Sequence, residues 1–270
     1  PPRSTRGRSS AASDVYKRQR DPEFVSMFID EARLAARIRH PHVVPTLDVV
    51  ALEGELFLVM EFVQGETLAR LIRRSVKARI PISLQVAAAV ISGVLEGLHA
   101  AHEAIGEHGE FLGIVHRDVS TQNIMVGTDG VSRVLDFGVA KAINRIQTTR
   151  DGQIKGKIEY MAPEQIRGAA RVDERADVYG LASVAFRALT GRLPFEGLSA
   201  RMVASLKLDN PPPTLEQATG FRWPVVLEEF FGIGLSRNPD DRFASADEAK
   251  RRWTEACECF DHARDAKNLG

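Results

Sequence analysis

Three short strings, each with one acidic residue, stand in a fixed order in the middle of the chain, and they are its most constraining feature. Residues 116–118 read His-Arg-Asp, and Asn123 follows the aspartate by five positions. Residues 136–138 read Asp-Phe-Gly, and residues 161–164 read Met-Ala-Pro-Glu. Carboxylate and amide oxygens on loops between short apolar runs suit a hard cation. The chain therefore needs a fold that brings these loops together.

The order and spacing of the three strings resemble the catalytic lobe of protein kinases. The resemblance covers roughly residues 22–255, and it points to bacterial serine/threonine kinases of the eukaryotic type. It implies an α+β fold with two lobes, a mainly helical C-lobe and an N-lobe whose first three strands are missing. The implied reaction is transfer of the γ-phosphate of ATP to a protein hydroxyl with the help of Mg²⁺.

The resemblance assigns catalytic roles to four residues. Asp118 would position the acceptor hydroxyl or take its proton. Asn123 and Asp136 would be the magnesium ligands. Glu31 would pair with the lysine that contacts ATP in this family. Taken singly, an aspartate of this kind is usually a turn or cap residue, so the constellation carries the assignment.

A second set of residues is implied for the nucleotide. Met60 would be the gatekeeper before the hinge between the lobes, and backbone groups of Glu61 and Val63 would hydrogen-bond the adenine edge. Met125 would form the apolar floor beneath the adenine ring. Glu66 would either contact the ribose or simply begin the next helix, and the sequence favours neither role.

Further positions match structural parts of the family. Asp177 would anchor the backbone of the catalytic loop from a central helix. Arg117 would hold a phosphorylated activation segment through its charge. Thr148 and Thr149 lie in that segment, as regulatory phosphosites or as ordinary exposed loop residues.

Hydrophobic periodicity predicts a small mixed region followed by a large helical one. The predicted strands are 43–50, 56–62, 114–115, 124–126 and 131–135, with the first two joined as a hairpin. The predicted helices are one from residue 21 to Pro41, then 67–74 and 83–103, with mostly helical chain from residue 174 onward. Ser83 is expected to cap the long helix at 83–103.

The first twenty residues differ in composition from the rest. They carry six basic residues and one acidic residue, with few large apolar side chains. Such a segment buries too little surface to offset its ordering entropy. It is a disordered native tail, a basic arm for a membrane surface or nucleic acid, or a non-native sequence. The expected division is residues 1–20 as the tail, 21–63 as a partial N-lobe and 64–270 as the C-lobe.

The family pattern is broken most clearly before the predicted first helix. No Gly-x-Gly-x-x-Gly string occurs in the chain, and Lys17 stands only four residues before Asp21. Three strands with their turns need about 25–40 residues, which is more than residues 1–20 supply. The phosphate-covering loop and the partner of Glu31 are therefore missing. We expect this polypeptide to have little or no kinase activity.

Two further departures concern the substrate side. Ser120 stands where many serine/threonine kinases carry a lysine that reaches the transferred phosphate. Lys157 stands where a threonine typical of serine/threonine kinases would be, which weakens the assignment of the acceptor class.

Two other functions compete with protein phosphorylation. A pseudokinase scaffold would bind partners without transferring phosphate. It would not need to keep Asp118, Asn123 and Asp136 together. A small-molecule kinase of the aminoglycoside phosphotransferase type would share the catalytic aspartate and the metal ligands. Asp177, together with Glu164 and Arg242 as the ion pair that the resemblance implies, favours the protein kinase.

Composition excludes other classes. The 36 basic and 36 acidic residues balance, whereas a nucleic-acid-binding protein usually has a basic excess. The apolar stretch at 86–95 is broken by Glu96 and is shorter than the roughly 18 residues of a membrane span. Cys257 and Cys259 are too few for a disulfide framework and fit a reducing compartment. The expected location is the cytoplasm, with ATP and a protein substrate as partners and no nucleic acid or membrane contact.

Overall fold

The computed structural model describes residues 29, 32–52, 55–137 and 158–268. The predictions for the tail at 1–20 and for Glu31 concern residues outside this part of the chain. So do those for Thr148, Thr149 and Lys157. Residues 32–35 are helical, and Ala35 and Ile38 are buried as the periodicity predicts.

The predicted hairpin is present. Strand β1 (Thr46–Leu52) pairs antiparallel with β2 (Glu55–Met60), with Val50 opposite Phe57. Strand β1 begins three residues later than predicted because Val43 and Val44 pair elsewhere. The Val44 N–H donates to the carbonyl of Val134 at 2.9 Å. The residues before the hairpin therefore connect it to a second sheet. Residues 46–60 are called the hairpin region below.

The second sheet has three short antiparallel strands in the order β3 (Gly65–Thr67), β4 (Ile124–Gly127) and β5 (Ser132–Val134). Strands β3 and β4 approach so closely that a Cβ atom on Gly65 would lie 2.2 Å from the Val126 carbonyl oxygen. The predicted strand at 114–115 is wrong. Ile114 is 7% exposed, so its apolar character reflects packing in the core and not strand pairing.

Two helices lie between these strands in sequence. Helix α1 (Leu68–Ala78) is longer than predicted and is capped by Thr67, whose side chain accepts from the Arg70 N–H. Helix α2 (Leu84–His102) begins after Ser83, which accepts from the Val86 N–H. That second cap confirms the prediction for Ser83.

Helix α2 corrects the expectation about apolar length. Among the described residues it is the one helix long and apolar enough to cross a membrane, with a mean hydropathy of 1.4 over its most apolar window. Glu96 does not interrupt it. Just over half of that window, 56%, is buried inside the structure. The core helix of a soluble protein meets the same criterion, so the helix alone is weak evidence for a membrane span.

The remaining chain is mostly helical, as predicted. Its helices are α3 (Pro163–Ile166), α4 (Arg175–Thr190), α5 (Ala200–Asp209), α6 (Leu215–Thr219), α7 (Val225–Gly234) and α8 (Ala246–Asn268). The centre of α4 is fully buried, with Val184, Ala185 and Phe186 at 0% exposure. Helix α8 packs on α2, where the Trp253 Nε1–H donates to the Ala88 carbonyl at 3.2 Å. The segments 68–102 and 163–268 together form the helical region, which contains the main core.

Candidate active site

The backbone of the loop that carries Asp118 is bonded to the side chain of Asp177 on α4. The backbone N–H groups of His116 and Arg117 donate to the two carboxylate oxygens of Asp177 at 2.8 and 2.7 Å. His102 on α2 also bonds this carboxylate, at 2.9 Å. Burial alone would raise the pKa of Asp177, but the hydrogen bond and charge of His102 and the backbone N–H of His116 lower it. An ionised Asp177 thus anchors the loop in the helical region, as the resemblance implies.

The backbone around the site is strained at two positions. Arg117 and Asp136 have φ values of 65° and 58°, in the left-handed region that non-glycine residues rarely occupy. The carbonyl of Arg117 accepts a hydrogen bond from the Gln165 side chain at 2.8 Å. Such strain costs about 1–3 kcal/mol per residue and concentrates at functional sites. Arg117 is held at both of its backbone groups, because Asp177 accepts from its N–H and Gln165 donates to its carbonyl.

Asp118 and Asn123 are joined directly. The Asn123 side-chain amide donates to the Asp118 carbonyl at 2.9 Å and to its carboxylate at 3.4 Å. Because the nitrogen of this amide is occupied, its oxygen is the group that remains for a cation.

His116 links Asp118 to the segment that holds Asp136. Its Nδ1 accepts from the Asp118 N–H at 3.2 Å, and its Nε2 donates to the Leu135 carbonyl at 2.7 Å. These partners select the tautomer with the proton on Nε2. The ring is fully buried and packs edge-on against Phe137, with centroids 4.8 Å apart. A buried imidazole therefore connects the loops of the two aspartates.

Asp136 lies in an environment that suits a cation. Burial raises the pKa of its carboxyl, and the negative charge of Asp118 raises it further. A bound cation would relieve both unfavourable effects. Mg²⁺ is commonly held by one or two protein carboxylates together with water and phosphate oxygens. Asn123 and Asp136 fit that pattern, and no cluster of three or more metal-binding side chains occurs in the described part.

Most of the predicted nucleotide residues lie on or beside the segment that joins the two sheets, and Met125 lies in β4. Met60 ends β2, and the Glu61 N–H donates to the Pro45 carbonyl at 3.0 Å, which leaves its own carbonyl for an adenine edge. Val63 is half-buried in the following link, and strand β3 then places Thr67 opposite Met125.

Glu66 serves the start of helix α1. One of its carboxylate oxygens accepts from the Thr67 N–H at 3.0 Å. The other lies 3.2 Å from the Arg70 guanidinium and 3.8 Å from that of Arg74. These contacts correspond to the helix-start role of the two that the sequence left open.

Sequence reasoning missed a chain of side chains that connects the catalytic loop to the residues before α3. The Tyr160 hydroxyl lies 2.9 Å from the Thr121 hydroxyl and accepts from the Arg187 guanidinium at 2.6 Å. Burial raises the pKa of Tyr160, and the charge of Arg187 opposes this shift. The tyrosine therefore remains a neutral hydrogen-bonding group between the two segments.

A buried lysine holds the same segment from the other side. The ammonium of Lys207 donates to the carbonyls of Glu159 and Met161 at 2.8 and 2.9 Å and lies 5.1 Å from the centre of the Tyr179 ring. Burial lowers the pKa of Lys207 to about 7, against the attraction of Glu159. The sequence contains one signal that Lys207 lies on the buried face of α5, because it follows the buried Val203 by one helical turn.

The ion pair between Glu164 and Arg242 is present. Both guanidinium nitrogens donate to the carboxylate at 2.8 Å, and the Arg242 side chain also bonds the Ser236 carbonyl at 2.8 Å. Its guanidinium lies 4.9 Å from the centre of the Tyr179 ring. The pair fixes α3 to the loop before α8.

The motifs and this geometry agree with comparisons to known proteins. A family model described as a protein kinase domain matches residues 3–253. The tyrosine-protein kinase MasK of Myxococcus xanthus is 39% identical over 84% of this chain and 35% of its own length. The serine/threonine-protein kinase PknL of Mycobacterium tuberculosis is 35% identical over 84% of this chain and 53% of its own length.

Solved structures agree on the fold. The PknI kinase domain of M. tuberculosis matches with a TM-score of 0.67 and 26% identity, covering 89% of this chain and 82% of that one. A helical lobe with a clamped catalytic loop, joined to a small strand region, defines the kinase-like fold. The chain belongs to the protein kinase family, within which its relatives include bacterial serine/threonine kinases. It spans between about a third and about half of the length of the first curated relatives.

Proposed function

We propose that this chain is the catalytic domain of a bacterial protein kinase that phosphorylates serine or threonine hydroxyls. The carrying observation is the clamp of Asp177 on the backbone of His116 and Arg117, which presents Asp118 beside Asn123. In this role the Asp118 carboxylate accepts a hydrogen bond from the acceptor hydroxyl, orients it and takes its proton.

The same proposal assigns the cofactors ATP and Mg²⁺. Mg²⁺, when bound, neutralises charge on the phosphates during transfer. The oxygens of Asn123 and Asp136 would hold it, and the half-buried Asp136 suits this because a cation offsets its desolvation. The residues proposed to frame the adenosine are Met60, Glu61, Val63, Met125 and, more weakly, Glu66. Glu31 would fix the family lysine.

We also propose the division into residues 1–20, an N-lobe part at 21–63 and a C-lobe at 64–270. The hairpin supports an incomplete N-lobe, because Val50, Phe57 and Val59 share one face and are 39, 45 and 38% exposed. Additional strands would cover that face. Without a glycine-rich loop and its lysine, residues 1–270 alone would transfer phosphate slowly or not at all.

The experiment measures transfer of labelled γ-phosphate from ATP and Mg²⁺ to a generic protein substrate. It compares the 270-residue chain with the same chain extended by the upstream coding sequence or, where that supplies no such strands, by the three first strands of a relative. The extended chain should be active, and Asp118→Asn should lower its rate by a factor of about 10²–10⁴, the usual size of general-base catalysis. The 270-residue chain should remain near background.

Other outcomes would identify the competing functions. An extended chain that is stabilised by ATP and Mg²⁺ without transferring phosphate would be a pseudokinase scaffold. Transfer to an aminoglycoside but to no protein would indicate a small-molecule phosphotransferase. Robust Asp118-dependent transfer by the 270-residue chain would overturn the proposed inactivity.

A separate measurement identifies which amino acid carries the hydroxyl that accepts the phosphate. The relative MasK is named as a tyrosine-protein kinase, and Lys157 replaces the threonine typical of serine/threonine kinases. Hydrolysis of the labelled product followed by separation of phosphoamino acids should yield phosphoserine or phosphothreonine. Phosphotyrosine as the main product would assign the chain to the other acceptor class.

A cytoplasmic location completes the proposal, with a protein substrate and no nucleic acid or membrane partner for these residues. The two cysteines, Cys257 and Cys259, support a reducing compartment because they are too few for a disulfide framework.

A further inference from the structure

A cavity of about 420 Å³ opens beside the catalytic loop, between helix α1, Thr121 and Gln122, and the Tyr160 segment. Thr121 and Gln122 follow Asp118 by three and four residues. The first turn of α1 is bonded to this loop, since the Ala69 N–H donates to the Thr121 carbonyl at 2.8 Å. The first turn of α1 is therefore attached directly to the catalytic loop.

The charge of the cavity wall is mainly positive. Arg73 and Lys77 lie one turn apart on the face of α1 that lines the cavity, and Arg187 lies across from them. Glu159 is the acidic residue in the lining, and its carboxylate lies 3.8 Å from Arg187. Three cations thus face one anion.

Arg73 and Lys77 differ from the other cations of the helix. Arg70 and Arg74 are paired with Glu66, whereas Arg73 and Lys77 are exposed and form no ion pair in the described part of the chain. Like charges spaced i,i+4 on a helix repel each other. The helix dipole favours a positive charge in the last turn of α1, which accounts for Lys77. The dipole does not account for Arg73, nor for the fact that both side chains line the cavity.

We propose that this cavity binds an acidic side chain of the protein substrate and so selects acceptor sites with nearby glutamate or aspartate. The proposal rests on the proposed function, since it treats the neighbouring loop as the place where the acceptor hydroxyl lies. Arg73 and Lys77 stand about 6 and 12 Å along α1 from Ala69 at 1.5 Å per residue. An extended peptide advances about 3.3 Å per residue, so acidic residues two to four positions from the one beside the loop would reach them.

The test measures peptide binding and needs no phosphate transfer. Fluorescein-labelled peptides with one central serine carry glutamates on the N-terminal side, on the C-terminal side, or on neither, and a fourth carries lysines. Fluorescence anisotropy with the 270-residue chain at low salt gives their affinities. One acidic peptide should bind more tightly than the neutral peptide, and the lysine peptide should bind most weakly.

The variant Arg73→Glu/Lys77→Glu should bind that acidic peptide about tenfold more weakly, since two exposed charge contacts become repulsive. The matched control Arg201→Glu/Arg222→Glu makes the same change in net charge on exposed arginines outside the cavity. It should retain the affinity. The control also accounts for the basic segment 1–20, whose attraction for acidic peptides both variants keep. Circular dichroism confirms that each variant is folded.

Equal affinities for acidic and neutral peptides, or an equal loss in both variants, would overturn the proposal. So would a single-stranded oligonucleotide that outcompetes the acidic peptide and depends on Arg73 and Lys77, since the cations would then serve nucleic acid. Failure of the proposed function is distinguishable. It shows as absent Asp118-dependent transfer in the extended chain, whatever the peptide affinities.

Discussion

The hairpin region and the helical region contain similar apolar residues but bury them very differently. In the hairpin, Phe57 and Val59 are 45 and 38% exposed, whereas Val94 and Leu98 on α2 are at 0%. A two-stranded hairpin is only marginally stable by itself. The helical region is stabilised by its own core, and the hairpin depends on whatever covers its apolar face.

This difference divides the active site as well. The catalytic loop is attached to the helical region through Asp177 and His102. The backbone proposed to meet adenine, at Glu61, directly follows the hairpin. The loop proposed to perform the chemistry is therefore bonded to the buried core, whereas the segment proposed to bind the nucleotide follows the half-exposed hairpin.

The largest expected effect comes from breaking the clamp between the loop and the helical region. Asp177→Ala leaves three donors without this acceptor, the buried ones on His102 and His116 and the part-buried one on Arg117. We expect the free energy of unfolding to fall by about 3–5 kcal/mol, the usual cost of removing one partner from a buried charged network. Urea denaturation followed by circular dichroism measures it.

The matched control is Ser183→Ala, which removes a fully buried hydroxyl from the same helix. It should cost about 1 kcal/mol or less, because that hydroxyl donates to the Tyr179 carbonyl of its own helix. Equal losses for the two variants would contradict a special role for Asp177.

A second pair of variants compares the two regions directly. Leu98→Ala removes a fully buried side chain and should cost about 2–5 kcal/mol. Phe57→Ala removes a larger side chain that is already half exposed, and it should cost less than about 1 kcal/mol in the 270-residue chain, as surface changes do. In the extended chain the cost of Phe57→Ala should rise, because the added strands cover this face. Thermal denaturation gives all three values, and an unchanged cost for Phe57→Ala would speak against such a cover.

A smaller effect is expected from pH at Lys207. Its pKa is lowered from 10.5 to about 7 in the folded chain, so between these values the unfolded chain binds a proton that the folded chain has lost. Stability should therefore rise with pH above 7, by at most about 1.4 kcal/mol per pH unit through this group. Lys207→Met should remove that rise in urea denaturation curves measured from pH 7 to 9.

The control for this prediction is Lys77→Met, which removes an exposed lysine. Its stability should follow the parent chain across the same pH range. If Lys207→Met kept the rise in stability as well, another group would be responsible for it.

Sequence reasoning reached the features that short motifs encode. The resemblance to protein kinases implies the clamp of Asp177 and the Glu164–Arg242 pair, and the structure confirms both contacts. Residues such as Lys207 and Tyr160 belong to no motif, because their partners are backbone carbonyls and hydroxyls that only the folded chain brings near. Contacts of this kind leave almost no pattern in one sequence.

Errors in the predicted elements have a similar origin. Ile114 lies in a buried link between elements, where an apolar side chain packs in the core. A short apolar run looks the same in the sequence whether it is such a link or a strand. The helical period of the apolar residues before Pro41 places Leu34 on the same face as Ala35 and Ile38, yet Leu34 is 38% exposed. The roles of Asp118, Asn123 and Asp136 in phosphate transfer stay predictions, although the structure brings their loops together. Glu31 lies outside the described residues, and its role also stays a prediction.

Native-state hydrogen exchange measures directly whether the catalytic loop is part of the helical core. The amides of His116 and Arg117, bonded to Asp177, should exchange only with global unfolding, at the slow rate of the α2 core. The amides of β1 and β2 should exchange through local opening, at least about a hundredfold faster. Fast exchange at His116 and Arg117, at the rate of the hairpin, would contradict the account.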